Sequence, residues 1–173
     1  LHLVSATTQL TTADVIDNLT EDYLGPGAVL IVDYLQKVAI PGNLSPVDER
    51  IYRTVETLKD MAETHDVSVV ALSSAGAAGI GADRLRLRHL RGSDALAHEC
   101  DVAIVLNHKF RALADEHLKY DLTQVNEARR RTVFSIEKNR RGENDLHLEF
   151  VRDFSSFRFL PRGGFLAESM TND

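Results

Sequence analysis

An aspartate closes a run of four aliphatic residues in the stretch VLIVDYLQ, Val29 to Gln36. In sheets with helices on their faces, ligands sit at the carboxyl ends of the strands. Asp33 is therefore placed where a carboxylate could hold the hydrated magnesium that accompanies nucleotide phosphates, although an acid there can also simply cap a turn. A second candidate is basic. Arg84, Arg86, Arg88 and Arg91 alternate through SSAGAAGIGADRLRLRHLRGS. Such a stripe suits contacts to phosphates, which give affinity without sequence preference, but an exposed arginine-rich loop with no ligand is the plainer alternative. No aromatic residue interleaves with these arginines, so base stacking is not supported. Lys138 and Arg140 lie two apart in FSIEKNRRG. On an extended segment they would point the same way and could enter one site, or they form a solvated basic turn.

Other chemistries find less support. His98, Glu99, Cys100 and Asp101 are of metal-ligand type, but four consecutive residues cannot all face one ion. The seven histidines show neither metalloprotease nor finger spacing, and no Gly-x-Ser-x-Gly nucleophile turn occurs. There is no Gly-Lys pair in the chain, hence no phosphate-binding loop of the Gly-x-x-x-x-Gly-Lys-Ser/Thr form.

The elements that must position these residues follow from periodicity. Leu1 to Ala6 is a short strand candidate. A helix is expected from the capping box at Thr11 to Asp14, with Val15, Ile16, Leu19 and Tyr23 on one face and Gly25-Pro26-Gly27 at its end. VLIV suits a strand buried on both faces. Ser45-Pro46 opens a helix that carries Ile51, Val55, Leu58 and Ala62 on one face. Val67 to Leu72 and Asp101 to Leu106 are further strands, and GAAGIGAD reads as a mobile glycine-rich loop. LHLEFV and FRFL alternate well enough to pair as a closing β-hairpin. Alternation of strand and helix through the first two thirds argues a mostly parallel sheet flanked by helices.

Composition sets the bounds. At 173 residues the chain fits one domain, and its 43% hydrophobic and 27% charged residues are those of an ordinary soluble globular protein. One cysteine, Cys100, excludes an internal disulfide and points to a reducing, cytoplasmic setting. The net charge of -6 gives no whole-chain reason to expect nucleic acid. Because a strand-like segment begins at Leu1, the chain reads as a piece of something longer.

Four ordered blocks, VLIVDYLQ, TLKDMAETHDVSVVALS, HLRGSDALAHECDVAIVL and FSIEKNRRG, resemble the carboxyl-terminal ATPase domain of the DnaB-like replicative helicases. That family reads Asp-Tyr-Leu-Gln at its Walker B strand, Leu-Lys-x-x-Ala before its sensor strand, Leu-Arg-x-Ser before an aspartate-started strand, and Lys-x-Arg after the next. The resemblance implies a RecA-like α/β fold and ATP- and Mg2+-dependent unwinding of duplex DNA by a ring of identical subunits. By it, Asp33 positions the magnesium, and Lys138 and Arg140 reach the nucleotide of a neighbouring subunit. Arg91, Gly92, Ser93 and Asp94 match the loop that holds single-stranded DNA, with Arg84, Arg86 and Arg88 adding charge before it. Primase or loader proteins are the further partners implied.

The departures are as informative. The P-loop and the catalytic glutamate of the family belong to a region before Leu1, so the expectation is a single partial domain over residues 1–173, inactive as an ATPase by itself. The sensor strand ends Ser73-Ser74 where the family has Ser-Gln; Ser74 thus stands on the nucleotide side but is too short to replace an amide that feels the γ-phosphate. Residues 107–131 match least and read as a polar insertion, either solvated or offering a face of Phe110, Leu113, Leu118, Tyr120 and Leu122. The competing expectation is a non-hydrolysing RecA-like module that binds DNA or a protein partner.

Overall fold

The computed structural model describes residues 3, 23, 25–38, 47–113, 122–167 and 169–171. The strand expected at Leu1 to Ala6, the helix expected after Thr11 and the Ser45-Pro46 cap lie outside these residues. The chain divides into two compact units, each assembled from two separate stretches: Leu1–Gly76 with Leu90–Cys100, and Ala77–His89 with Asp101–Asp173.

In the first unit, β1 (Val29–Val32) pairs in parallel with β2 (Ser68–Ala71), Ile31 beside Val70. A parallel pair needs a long crossover, and α1 (Val47–His65) supplies it. Asp48 and Glu49 in its first turn and His65 in its last suit the two ends of the helix dipole. Ile51, Val55 and Leu58 are buried on the expected face together with Met61. Thr54 is buried among them, and its hydroxyl is satisfied by donating to the Arg50 carbonyl at 2.9 Å. Beyond the helix, Val67 N–H donates to the Ala62 carbonyl at 3.1 Å and Gly27 N–H to the Asp66 carbonyl at 2.8 Å, fixing where β1 and β2 begin. A shorter helix, α2 (Ser93–Glu99), packs on α1 and buries Ala95 and Leu96.

The expectation that β1 is buried on both faces is not met: Val29 and Ile31 are 58% and 61% exposed, while Leu30 and Val32 are half-buried. Helix α1 packs against β2 and the Leu35–Lys37 turn. β-branched residues favour strands whether or not both faces are covered, so an aliphatic run cannot report two-sided burial.

The second unit is antiparallel. Strands β3 (Val102–His108), β4 (Arg131–Asn139), β5 (Leu146–Asp153) and β6 (Arg158–Phe159) lie in that order, and β7 (Gly164–Phe165) also pairs with β5. The turn between β4 and β5 is too short for a crossover, which forces the antiparallel pairing of Phe134 with Leu148 and Thr132 with Phe150. Among the described residues, parallel pairing is thus confined to β1 and β2, a departure from the expected mostly parallel sheet. The closing hairpin is present: Arg152 pairs with Phe159 and Asp153 with Arg158, and Phe159 packs edge-on to Phe134 at 5.0 Å.

Two further expectations change. The stretch 107–131 is not simply a solvated insertion. Asn107, Lys109, Ala112, Leu113 and Ala128 are buried, and Ala112 forms a core with Val133 and Met170. Lys109 reaches Glu149 at 2.5 Å, which is how its ammonium tolerates burial. Helix α3 (Leu122–Arg129) closes the stretch, whereas Leu118 and Tyr120 lie outside the described residues. Nor is GAAGIGAD a mobile loop: Ala77–Ile80 is a helical turn, and a Cβ on Gly79 would stand 2.7 Å from Leu85 Cδ1 and 2.9 Å from the His89 carbonyl. Gly79 is there because the backbone approaches too closely for a side chain.

Candidate nucleotide and nucleic-acid site

Because β1 and β2 are parallel, their carboxyl ends fall at the same edge. Asp33 leaves β1 exposed to solvent, and Leu72, Ser73 and Ser74 leave β2 beside it. Leu72 N–H donates to the Val32 carbonyl and Leu35 N–H to the Leu72 carbonyl, both at 2.9 Å, so the pairing continues past the strands. Gln36 then crosses to β2. Its Nε2 donates to Ser73 Oγ at 2.8 Å and to the Arg91 carbonyl at 3.0 Å, and its Oε1 accepts from Ser74 N–H at 3.2 Å.

The Arg91 segment joins the same edge. Arg91 N–H donates to the Ser74 carbonyl at 3.0 Å, and Ala75 bridges Leu90. Gly92 then turns with φ +79 and leads into α2 at Ser93, with Asp94 exposed in the first turn. Two demands fall on Gly92 together, a left-handed backbone and contact with α1, where a Cβ would stand 2.4 Å from Ile51 Cγ2.

In the second unit, β4 carries the basic pair. Its register against β3 slips: Lys138 faces Ala103 but Ile136 faces Ile104, so Glu137 is the extra residue of a β-bulge. The Glu137 carboxylate accepts from Leu87 N–H at 3.1 Å and from Arg86 Nη1 at 3.5 Å, and lies 3.9 Å from Arg84 Nη2. Lys138 is half-buried on β4, whereas Arg140 lies in the turn after Asn139, where strand alternation no longer fixes its direction. Arg140 Nη1 meets Asp101 Oδ1 at 3.1 Å, and its N–H donates to the Asp101 carbonyl at 2.9 Å.

The four arginines of the stripe do not share one environment. Arg84 is 4% exposed; it donates to the Thr171 carbonyl at 3.1 Å and approaches His147 Nε2 at 3.4 Å. Burial holds the His147 imidazole below its ordinary pKa, with the Arg84 charge acting in the same direction. His147 is therefore neutral near pH 7, accepting from Arg84 at Nε2 and donating from Nδ1 to Ser135 Oγ at 3.1 Å. Arg84 is buried and Arg86 half-buried, both beside Glu137 within the second unit. Arg88 and Arg91 are exposed.

The profile of the DnaB-like helicase C terminal domain matches residues 5–159. The chain belongs to that family. Among solved structures, one described as an ATPase domain is similar with a TM-score of 0.69 and 20% identity, over 87% of this chain and 51% of that one. "The Structure Of A DnaB-Like Replicative Helicase And Its Interactions With Primase" is similar with a TM-score of 0.63 and 21% identity, over 83% of this chain and 34% of that one. This chain thus spans about half or less of the length of either structure. No curated protein matches it.

As a DnaB-like helicase domain, the chain distributes its candidate residues plainly. Asp33, Ser74, Arg91, Gly92, Ser93 and Asp94 belong to the first unit, and Arg84, Arg86, Arg88, Lys138 and Arg140 to the second. Among the described residues, no three His, Cys, Asp or Glu side chains gather to hold a metal, and no helix is long and apolar enough to cross a membrane. A single exposed carboxylate such as Asp33 fits magnesium, which takes one or two carboxylates and completes its shell with water and phosphate oxygens. Two residues escaped the sequence reading. Gln36 stood inside the quoted Asp-Tyr-Leu-Gln block without a role, and Glu137 sat beside Lys138 as one more charge. The signal for Glu137 was an acid within an apolar strand, opposite in sign to the arginines it holds.

Proposed function

We propose that this chain is part of an ATP-dependent replicative DNA helicase that unwinds duplex DNA as a ring of identical subunits. The supporting observation is the common edge: Asp33 and Ser74 lie at adjoining carboxyl ends of a parallel pair, and the Arg91–Asp94 segment is hydrogen-bonded to it. In this reading Asp33 orients hydrated Mg2+ against the nucleotide phosphates, and Ser74 lies near them. The phosphate cradle comes from a P-loop elsewhere in a longer protein, since this chain has no Gly-Lys pair. Magnesium neutralises charge that develops on the transferring phosphoryl group. Lys138 and Arg140 supply fixed positive charge to the site of a neighbouring subunit. Arg91, Gly92, Ser93 and Asp94 track the backbone of single-stranded DNA, with Arg88 adding charge. Primase and a loader are the protein partners, and the cytoplasm is the compartment.

The test uses a longer protein that joins this chain to a P-loop. It should hydrolyse ATP with stimulation by single-stranded DNA, and Asp33→Asn should lower turnover by about a hundredfold, the size of losing one preorganised charge interaction in a transition state. Turnover unaffected by Asp33→Asn would remove this edge from the nucleotide site. The absence of an amide at Ser74 favours the second reading, a non-hydrolysing module, which predicts DNA or protein binding with no turnover at all.

DNA contact has its own measurement. Each phosphate neutralised on a single strand contributes about 0.7 to the slope of log affinity against log salt. Replacing Arg88 and Arg91 together with alanine should flatten that slope by about 0.7 to 1.4 and weaken all sequences alike. An unchanged slope would take both arginines out of the DNA path.

A further inference from the structure

Gln36 is half-buried, and its amide touches three segments far apart in sequence: the turn after Asp33 that carries it, the Ser73-Ser74 end of β2, and the Arg91 carbonyl before Gly92. Its orientation is fixed by its partners. Turned over, the amide would set Oε1 against the Arg91 carbonyl and NH2 against Ser74 N–H, losing two hydrogen bonds. Backbone hydrogen bonds tie these segments only in pairs, Leu35 to Leu72 and Arg91 to Ser74. The Gln36 side chain meets all three.

We propose that Gln36 is the positioning residue that makes the Asp33 end, the Ser74 end and the Arg91–Gly92 loop respond as one, so that nucleotide and single-stranded DNA sense each other through it. This deepens, and rests on, the reading of an ATP-dependent DNA helicase. A shift of the Ser74 end on nucleotide binding pulls on Oε1, and the same planar amide carries that displacement through Nε2 to the Arg91 carbonyl. Coupling between two ligands requires such a shared element, and it is reciprocal. Gln36→Leu removes every side-chain link and leaves only the backbone pairs. Gln36→Glu keeps an acceptor for Ser74 N–H, loses both donors, and sets a carboxylate against the Arg91 carbonyl, so it breaks the DNA side selectively.

The experiment measures coupling in the longer ring-forming protein. The dissociation constant of a fluorescein-labelled oligodeoxythymidylate is determined with and without magnesium and a non-hydrolysable ATP analogue, and the analogue's constant with and without the oligonucleotide. In the unaltered ring both ratios should equal one factor, ordinarily about 5 to 150. In Gln36→Leu and Gln36→Glu that factor should fall toward one in both directions. A residue that only supported the fold would change the individual affinities and leave their ratio standing. If Gln36→Leu does not assemble, Gln36→Glu decides. A factor preserved in an assembled variant, or no coupling in the unaltered ring, overturns the role of Gln36. Failure of the unaltered ring to bind either ligand overturns the helicase reading itself, which separates the two outcomes.

Discussion

ATP hydrolysis by a ring carrying Arg140→Ala should fall by about a thousandfold while nucleotide binding changes little. A cation presented in trans acts on charge that develops in the transition state, and removing such an arginine costs about 10³ to 10⁵ in turnover. The resting partner does not stand in the way. Arg140 and Asp101 are 48% and 55% exposed, and an ion pair of that kind is worth about 1 kcal/mol or less. A thousandfold in rate corresponds to about 4 kcal/mol, so exchanging Asp101 for a phosphoryl oxygen is favourable. Mixing provides the decisive measurement. A subunit with Asp33→Asn still offers Arg140, and one with Arg140→Ala still offers Asp33, so mixed rings contain intact interfaces and should regain part of the lost turnover. Full turnover in Arg140→Ala alone would make the basic pair a solvated turn.

Gly92→Val should be the most destabilising single change in the Arg91–Asp94 segment. Its φ of +79 costs any side chain about 1 to 2 kcal/mol, and valine is among the least tolerant. The new Cβ would also stand 2.4 Å from Ile51 Cγ2 and 3.0 Å from Ile51 Cβ, against a residue that is 3% exposed and has nowhere to go. Overpacking of that sort adds about 1 to 3 kcal/mol. Together these are a large share of the roughly 5 to 15 kcal/mol that holds a domain together. Thermal denaturation should therefore show a melting temperature lower by roughly 4 to 20 °C, with Gly92→Ala following in the same direction by less. A valine variant that melts with the parent protein would mean that the turn can relax away from α1.

Much of the first unit was legible in the sequence, and the reasons are local. The face of α1 follows from helical spacing at Ile51, Val55 and Leu58, and β1 and β2 from aliphatic runs bounded by turns. What escaped depended on partners distant in sequence. Arginines at alternate positions read as a stripe, yet Arg84 and Arg86 are turned inward by Glu137, about 50 residues away. Burial of a guanidinium is decided by the acid it meets, and nothing in its own neighbourhood announces that. The antiparallel sheet escaped because aliphatic runs in β3 and β4 look alike in either pairing direction; only the short turn before β5 constrains it. Gln36 escaped because an uncharged amide has neither periodicity nor charge to draw notice, and its meaning lies in three partners of which two are main-chain atoms.

The two compact units are interleaved along the chain, which passes from one to the other after Gly76, after His89 and again after Cys100. The shortest contiguous piece that holds all of the first unit, residues 1–100, also carries Ala77–His89 of the second, and the shortest that holds all of the second, residues 77–173, also carries Leu90–Cys100 of the first. Expression of either unit as a contiguous polypeptide therefore brings along a stretch that belongs to the other. A single crossover after Cys100 likewise parts the Asp33 edge from the strand that carries Lys138 and the turn that carries Arg140, but it leaves Ala77–His89 of the second unit with the first.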